Sequence, residues 1–152
     1  MTERTAAPSA DGGEMGSYRL LEHTADMGIE AVAESREELF AQAAYGLLEI
    51  LSGSLEAAAR EERIVEVQAT DQEELLVSWL NEILYLFETK RFQPVDFEVE
   101  EVGWTAMKAR VRGEPFDPER HPVQREVKAV TYHQLKVERN DGHWTARVYV
   151  DL

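Results

Sequence analysis

The chain has 152 residues, 43% of them hydrophobic and 30% charged, and no apolar run approaches the length of a membrane-spanning helix, so one soluble domain with its own core is expected. Thirty Asp and Glu against 16 Lys and Arg leave a formal charge of −14, which repels a phosphate backbone and argues against direct nucleic-acid binding while suiting a basic protein partner or a hard cation. Cysteine is absent, which removes disulfides, thiolate metal sites and cysteine nucleophiles together.

Residues 1–17 are rich in Ala, Ser, Gly and acids and lack the apolar core of a secretory signal; they read as a flexible leader on a cytoplasmic protein, with the domain proper at 18–152. Tyr18–Leu21 opens a strand and Gly28–Ala33 forms a second, with the polar turn His23-Thr24-Ala25-Asp26 between them. Ser35 followed by Glu38 is a capping box, and Leu39, Phe40, Ala43, Ala44, Leu47, Leu48 and Leu51 recur at helical spacing up to a stop at Gly53. Ile64–Ala69 is a strand. Thr70-Asp71-Gln72-Glu73 starts a second helix whose apolar face carries Leu75, Leu76, Trp79, Leu80, Ile83, Leu84 and Phe87, and which must end before Pro94.

Beyond it, Phe97–Val102, Trp104–Val111, His133–Glu138 and Trp144–Val150 read as strands, with tight turns at Gly103 and at Asn140-Asp141-Gly142, and 113–122, with three prolines, as a loop. The expected fold class is α+β: two layers, a mostly antiparallel sheet with two main helices packed on one face.

Gly-rich phosphate loops, dinucleotide fingerprints and nucleophile elbows are all missing, and the four histidines are scattered rather than spaced as a zinc pair. Two acidic places stand out. In His23-Thr24-Ala25-Asp26-Met27-Gly28 the local reading is a turn closed by Asp26, with Gly28 supplying an unusual backbone geometry. At the chain end, Asp151 lies next to the carboxylate of Leu152, either as a frayed, solvated terminus or as a concentration of oxygen donors that repels itself unless a cation is near. Lys128-Ala129-Val130-Thr131-Tyr132-His133 alternates polar and small groups, as a solvated strand edge also does.

Four segments resemble motifs of the archease family: His23–Ala31 its opening motif, Leu75–Leu84 its second-helix motif, Lys128–His133 its late signature, and Val150-Asp151-Leu152 its terminal strand. Met27 and Leu152 stand where Ile is more usual. The resemblance implies a non-catalytic accessory protein that activates an RtcB-type RNA ligase in tRNA splicing and RNA repair, speeding its guanylylation and supporting multiple turnover. It implies a divalent cation held by Asp26, Asp151 and the carboxylate of Leu152, and the all-oxygen donor set suits calcium, with magnesium as the alternative. His23 and Thr24 become candidates for supporting those ligands or touching a partner, and Lys128 and His133 weaker ones. Two other functions compete: a general chaperone for RNA-modifying enzymes such as tRNA methyltransferases, and a metal-dependent hydrolase, which ranks last for want of a nucleophile and base.

Overall fold

The computed structural model describes residues 2–5, 16–22, 26–53 and 57–152. Over these the chain forms β1 (Thr2–Thr5), β2 (Gly16–Glu22), β3 (Asp26–Ala33), α1 (Arg36–Ser52), β4 (Glu61–Gln68), α2 (Gln72–Glu88), β5 (Phe92–Val102), β6 (Ala106–Pro115), β7 (Ala129–Asn140) and β8 (His143–Asp151). Both helices start where their side chains can satisfy a free amide of the first turn: Ser35 Oγ accepts from the Glu38 N–H at 3.1 Å and Asp71 Oδ1 from the Glu74 N–H at 2.8 Å. Gly53, at φ 61°, ends α1 in a conformation that side chains resist.

All pairings are antiparallel, and the class is α+β as expected. The strands divide, however, into a five-stranded sheet of order β1-β2-β3-β8-β7 and a three-stranded sheet of order β4-β6-β5. Helix α1 packs on β2, β3 and β8 of the first sheet and on β5 of the second, while α2 meets β7 of the first and β4 and β5 of the second. Apolar faces on both helices are therefore wide, and Trp79, Phe40 and Phe97 are all fully buried between them. The Trp79 indole N–H donates to the Phe40 carbonyl at 2.9 Å and its ring meets Phe97 edge-on at 6.0 Å, which ties α2 to α1 and to β5 at one point. Among the described residues no helix is long and apolar enough to cross a membrane.

Three expectations need correction. Within the segment read as a leader, Gly16 and Ser17 open β2, and Thr2–Thr5 pairs along the edge of β2 opposite β3, where backbone N–H and C=O groups would otherwise lack partners. The strand expected from Phe97 begins at Phe92 and contains Pro94; β5 is an edge strand whose register shifts between Pro94 and Asp96, the setting in which a residue without an N–H is tolerated. The loop expected from Gly113 begins after Pro115. Gly113 lies opposite Pro94, and a Cβ there would stand 2.0 Å from the Gln93 carbonyl oxygen, so the strands approach this closely only over glycine.

Glu114, the next residue, is 2% exposed and anchors the loop that follows. Its carboxylate accepts from the Ala58 N–H at 2.8 Å and binds Arg120, and His121, itself buried, faces it at 3.2 Å. Because His121 Nδ1 accepts from the Asp117 N–H at 2.9 Å, the ring proton sits on Nε2 and points at Glu114. The Ala58 amide above all, then the Arg120 guanidinium and His121, hold the Glu114 carboxyl down at about 2 against the pull of burial. A depressed carboxyl stabilises the fold fully above its unfolded value and loses that contribution as pH falls from about 4.5 through 2. Urea midpoints taken at a series of pH values should thus fall on acidification, and Glu114→Gln should lower the neutral midpoint while making the acid leg shallower. An unchanged acid slope in that variant would mean Glu114 is not a principal source of acid sensitivity.

Candidate functional site

Alternation along the two central strands of the larger sheet decides which side chains share a face. Met27, Ile29 and Ala31 of β3 and Ala146, Val148 and Val150 of β8 are buried towards the helices, where Ile29 abuts Gly46 of α1. The opposite face therefore carries Asp26, Gly28 and Glu30 from β3, and in register with them Asp151, Tyr149 and Arg147 from β8. These three cross-strand rungs differ in chemistry, and only the last is electrically closed.

On that last rung Glu30 Oε2 accepts from Arg147 Nε at 2.8 Å, and Glu30 Oε1 accepts from Arg19 Nε of β2 at 2.6 Å. Burial would raise the Glu30 carboxyl, but the two guanidinium groups outweigh it and hold it below the usual range. On the middle rung the Tyr149 ring lies over Gly28: a Cβ at 28 would come within 2.8 Å of its Cε1. Gly28 thus makes room for a ring inside an extended strand rather than shaping a turn, which corrects the local reading of this residue. The first rung sets two carboxylates, Asp26 and Asp151, directly opposite each other. Asp26 begins β3, and Asp151 is held on both sides, by Asp26 and by Ala129 of β7, instead of fraying.

The late segment borders the same end of the sheet. The Lys128 N–H donates to the Asp151 carbonyl at 2.8 Å, Thr131 is the register partner of Tyr149, and the His133 ring meets Tyr149 edge-on at 5.9 Å. Between Thr131 and Lys136 the ladder slips, with Gln134 at φ 52°, and His133 sits within this irregular stretch of β7. Leu152 packs on the core as the neighbour of Val150 requires. Arg125 Nη1 reaches Met27 Sδ at 3.5 Å, which brings a guanidinium to the start of β3. Sequence reasoning missed Tyr149 and Arg125. A signal for Tyr149 existed, since it shares a strand face with Asp151 and Gly28 needed a cover; Arg125 had none. His23 and Thr24 lie outside the described residues.

Directly opposite residues bring their Cβ atoms to about 5 Å, and like charges at that spacing repel. Among the described residues neither the Asp26 nor the Asp151 carboxylate has a hydrogen-bond or ion-pair partner, and no three His, Asp or Glu side chains converge as a metal cluster. Two facing carboxylates with open lone pairs, in a chain without thiolates, are oxygen donors that fit a hard divalent cation.

Residues 18–152 match the family described as the archease protein family (MTH1598/TM1083). The chain belongs to the archease family. It is 42% identical over 139 residues to the protein archease of Methanosarcina mazei, covering 89% of this chain and 95% of that one, and 44% identical over 137 residues to that of Methanopyrus kandleri, covering 87% and 96%. The solution structure of protein 1598 of Methanobacterium thermoautotrophicum superposes with a TM-score of 0.72 at 35% identity, over 88% of this chain and 96% of that one. The crystal structure of a Thermotoga maritima archease, described as a possible chaperone, does so at 0.57 and 27%, over 87% and 94%. The resemblance drawn from the four motifs is thereby borne out, and this archease-family fold brings three of them, from both halves of the chain, to one end of one sheet.

Proposed function

We propose that this archease-family chain is a non-catalytic activator of an RtcB-type RNA ligase, acting with a divalent cation, calcium or magnesium, held by Asp26, Asp151 and the carboxylate of Leu152. The observation that carries the proposal is the register pairing of Asp26 with Asp151 at the end of the sheet. An ion bound there supplies positive charge at the surface offered to a partner. The chain's own residues do the rest: Glu30, clamped by Arg19 and Arg147, fixes the spacing of β2, β3 and β8, and Tyr149 packed on Gly28 excludes water from the rung beneath the carboxylates. A net charge of −14 steers the molecule towards the basic cleft of a ligase and away from free RNA.

A single-turnover guanylylation assay tests this. The ligase should form its GMP adduct faster with the chain present, the gain should shrink as ionic strength rises, and residues added after Leu152 should impair the effect more than residues added at the N-terminus. If the chain alone takes up GMP, or the ligase rate does not change, the reading is wrong. The description of the Thermotoga maritima relative as a possible chaperone favours a second reading, a general chaperone for RNA-modifying enzymes such as tRNA methyltransferases. That activity would suppress aggregation of several clients and would not depend on Asp26.

A further inference from the structure

Residues 116–128 carry the chain from β6 of the three-stranded sheet to β7 of the five-stranded one without a helix or strand of their own. Connections of this kind are usually the mobile part of a fold. This one is tied down at three levels. At its start the Phe116 N–H donates to the Arg91 carbonyl and the His121 N–H to the Asp117 carbonyl, both at 2.7 Å, and the buried His121 ring faces Glu114. In its middle the Gln124 N–H donates at 2.7 Å to the Leu51 carbonyl, in the last turn of α1. At its end Val127 is buried in the core, and the Lys128 N–H donates to the carbonyl of Asp151, whose side chain is one half of the carboxylate rung.

The first two levels are braced against each other. Gln93 is fully buried, pairs in register with Glu114, and donates through Nε2 to Ser52 Oγ at 3.2 Å, one residue beyond Leu51. Between the last two ties Arg125 Nη1 reaches Met27 Sδ, next to Asp26 in the chain, so the segment touches both strands that supply the rung, β3 at Met27 and β8 at Asp151. Apolar burial alone would hold such a segment down, whereas directed hydrogen bonds also fix where its backbone runs. Neither His121 nor Glu114 belongs to the rung, so what they hold in place is the segment itself. We propose that residues 116–128 form a positioning strap for the carboxylate rung, with His121 and Gln124 as its positioning residues: by holding β3 and β8 together at this end, the strap sets the spacing at which Asp26 and Asp151 meet a cation. This rests on the reading of the rung as a cation site. By reciprocity, a cation on the rung tightens the strap by the same factor by which the strap raises cation affinity.

The test reads two quantities on the full chain: hydrogen exchange of the Lys128 amide by NMR without any divalent ion, and calcium affinity by calorimetry. His121→Ala removes the ring that faces Glu114 and should speed Lys128 exchange and weaken calcium binding about tenfold, the low end of what losing a group that orients a ligand costs. His121→Gln keeps an N–H for Glu114 and should recover most of both. Gln124→Pro removes the donor to Leu51 and should reproduce the loss, while Gln124→Ala keeps that donor and should match the wild type. Gln124 is exposed, so this second pair decides the matter even if His121→Ala does not fold. Wild-type Lys128 exchange in Gln124→Pro and in folded His121→Ala overturns the proposal, as does wild-type calcium affinity in both. Equal losses in Gln124→Ala and Gln124→Pro overturn it too, because the side chain and not the backbone tie would then matter. A wild-type chain that binds no calcium sinks the cation reading instead, and the strap's hold on Asp151 then stands or falls on Lys128 exchange.

Discussion

Asp26→Asn and Asp151→Asn are each expected to weaken divalent-cation binding by on the order of a hundredfold or more, with apo-protein stability unchanged or slightly raised. The first half follows from charge: changing a group that merely supports a ligand typically costs about 10- to 100-fold in metal affinity, and loss of an anionic oxygen donor should cost at least as much. The second half follows from register, because Asp26 and Asp151 face each other with no basic partner among the described residues, and removing one of two opposed like charges relieves a repulsion of roughly 0.2–1 kcal/mol. Calorimetry with calcium and with magnesium reads the affinity, and urea unfolding in chelator reads the stability. The opposite signs of the two effects separate a ligand role from a structural one. A variant that binds the ion as tightly as the wild type, or that loses several kcal/mol without metal, would remove Asp26 and Asp151 from the site.

Trp79→Ala should cost about 3–5 kcal/mol, from lost burial and from the cavity left behind, against a total stability of about 5–15 kcal/mol for a domain of this kind. The indole is fully buried, donates to the Phe40 carbonyl and meets Phe97 edge-on, so three elements lose a common contact at once. Trp79→Phe fills most of the space and loses chiefly the hydrogen bond, which places its cost at about 1–2 kcal/mol. Urea midpoints followed by circular dichroism should therefore order wild type, Trp79→Phe and Trp79→Ala. A wild-type midpoint for Trp79→Ala would show that the helices are not joined as described.

Local chemistry made much of the fold legible. Ser35 and Asp71 announce helix starts because a cap needs only its own first turn, and the apolar spacing from Leu75 to Phe87 reports a face that one helix must bury. What depends on distant partners could not be read. The helix does end before Pro94 as expected, but the strand was expected only from Phe97; it starts at Phe92 and runs through Pro94 because β5 is an edge strand, and the edge exists only because β6 lies between β4 and β5. The candidate site shows the same division. That Asp26 and Asp151 belong together came from resemblance to a family; their pairing is a long-range register that no local pattern encodes, and Arg125 reaches Met27 across a similar distance along the chain. Gly28 was misread because a glycine in a polar stretch suggests a turn, whereas its reason is a ring contributed by the far end of the chain.

Strand β8, the last element, is not at a sheet edge but lies between β3 and β7. During synthesis β3 is made well before β8 and must wait with an open edge until β8 has emerged. Non-local pairing of this kind is slow, and an open edge is a template for wrong partners, so the growing chain gains from whatever keeps that edge occupied or repelled in the interval. The carboxylate rung joins residues far apart in the chain, so it comes into being only when β8 has slotted home beside β3. The rung therefore reports on threading: a chain in which β8 has not entered between β3 and β7 cannot bring the two carboxylates together.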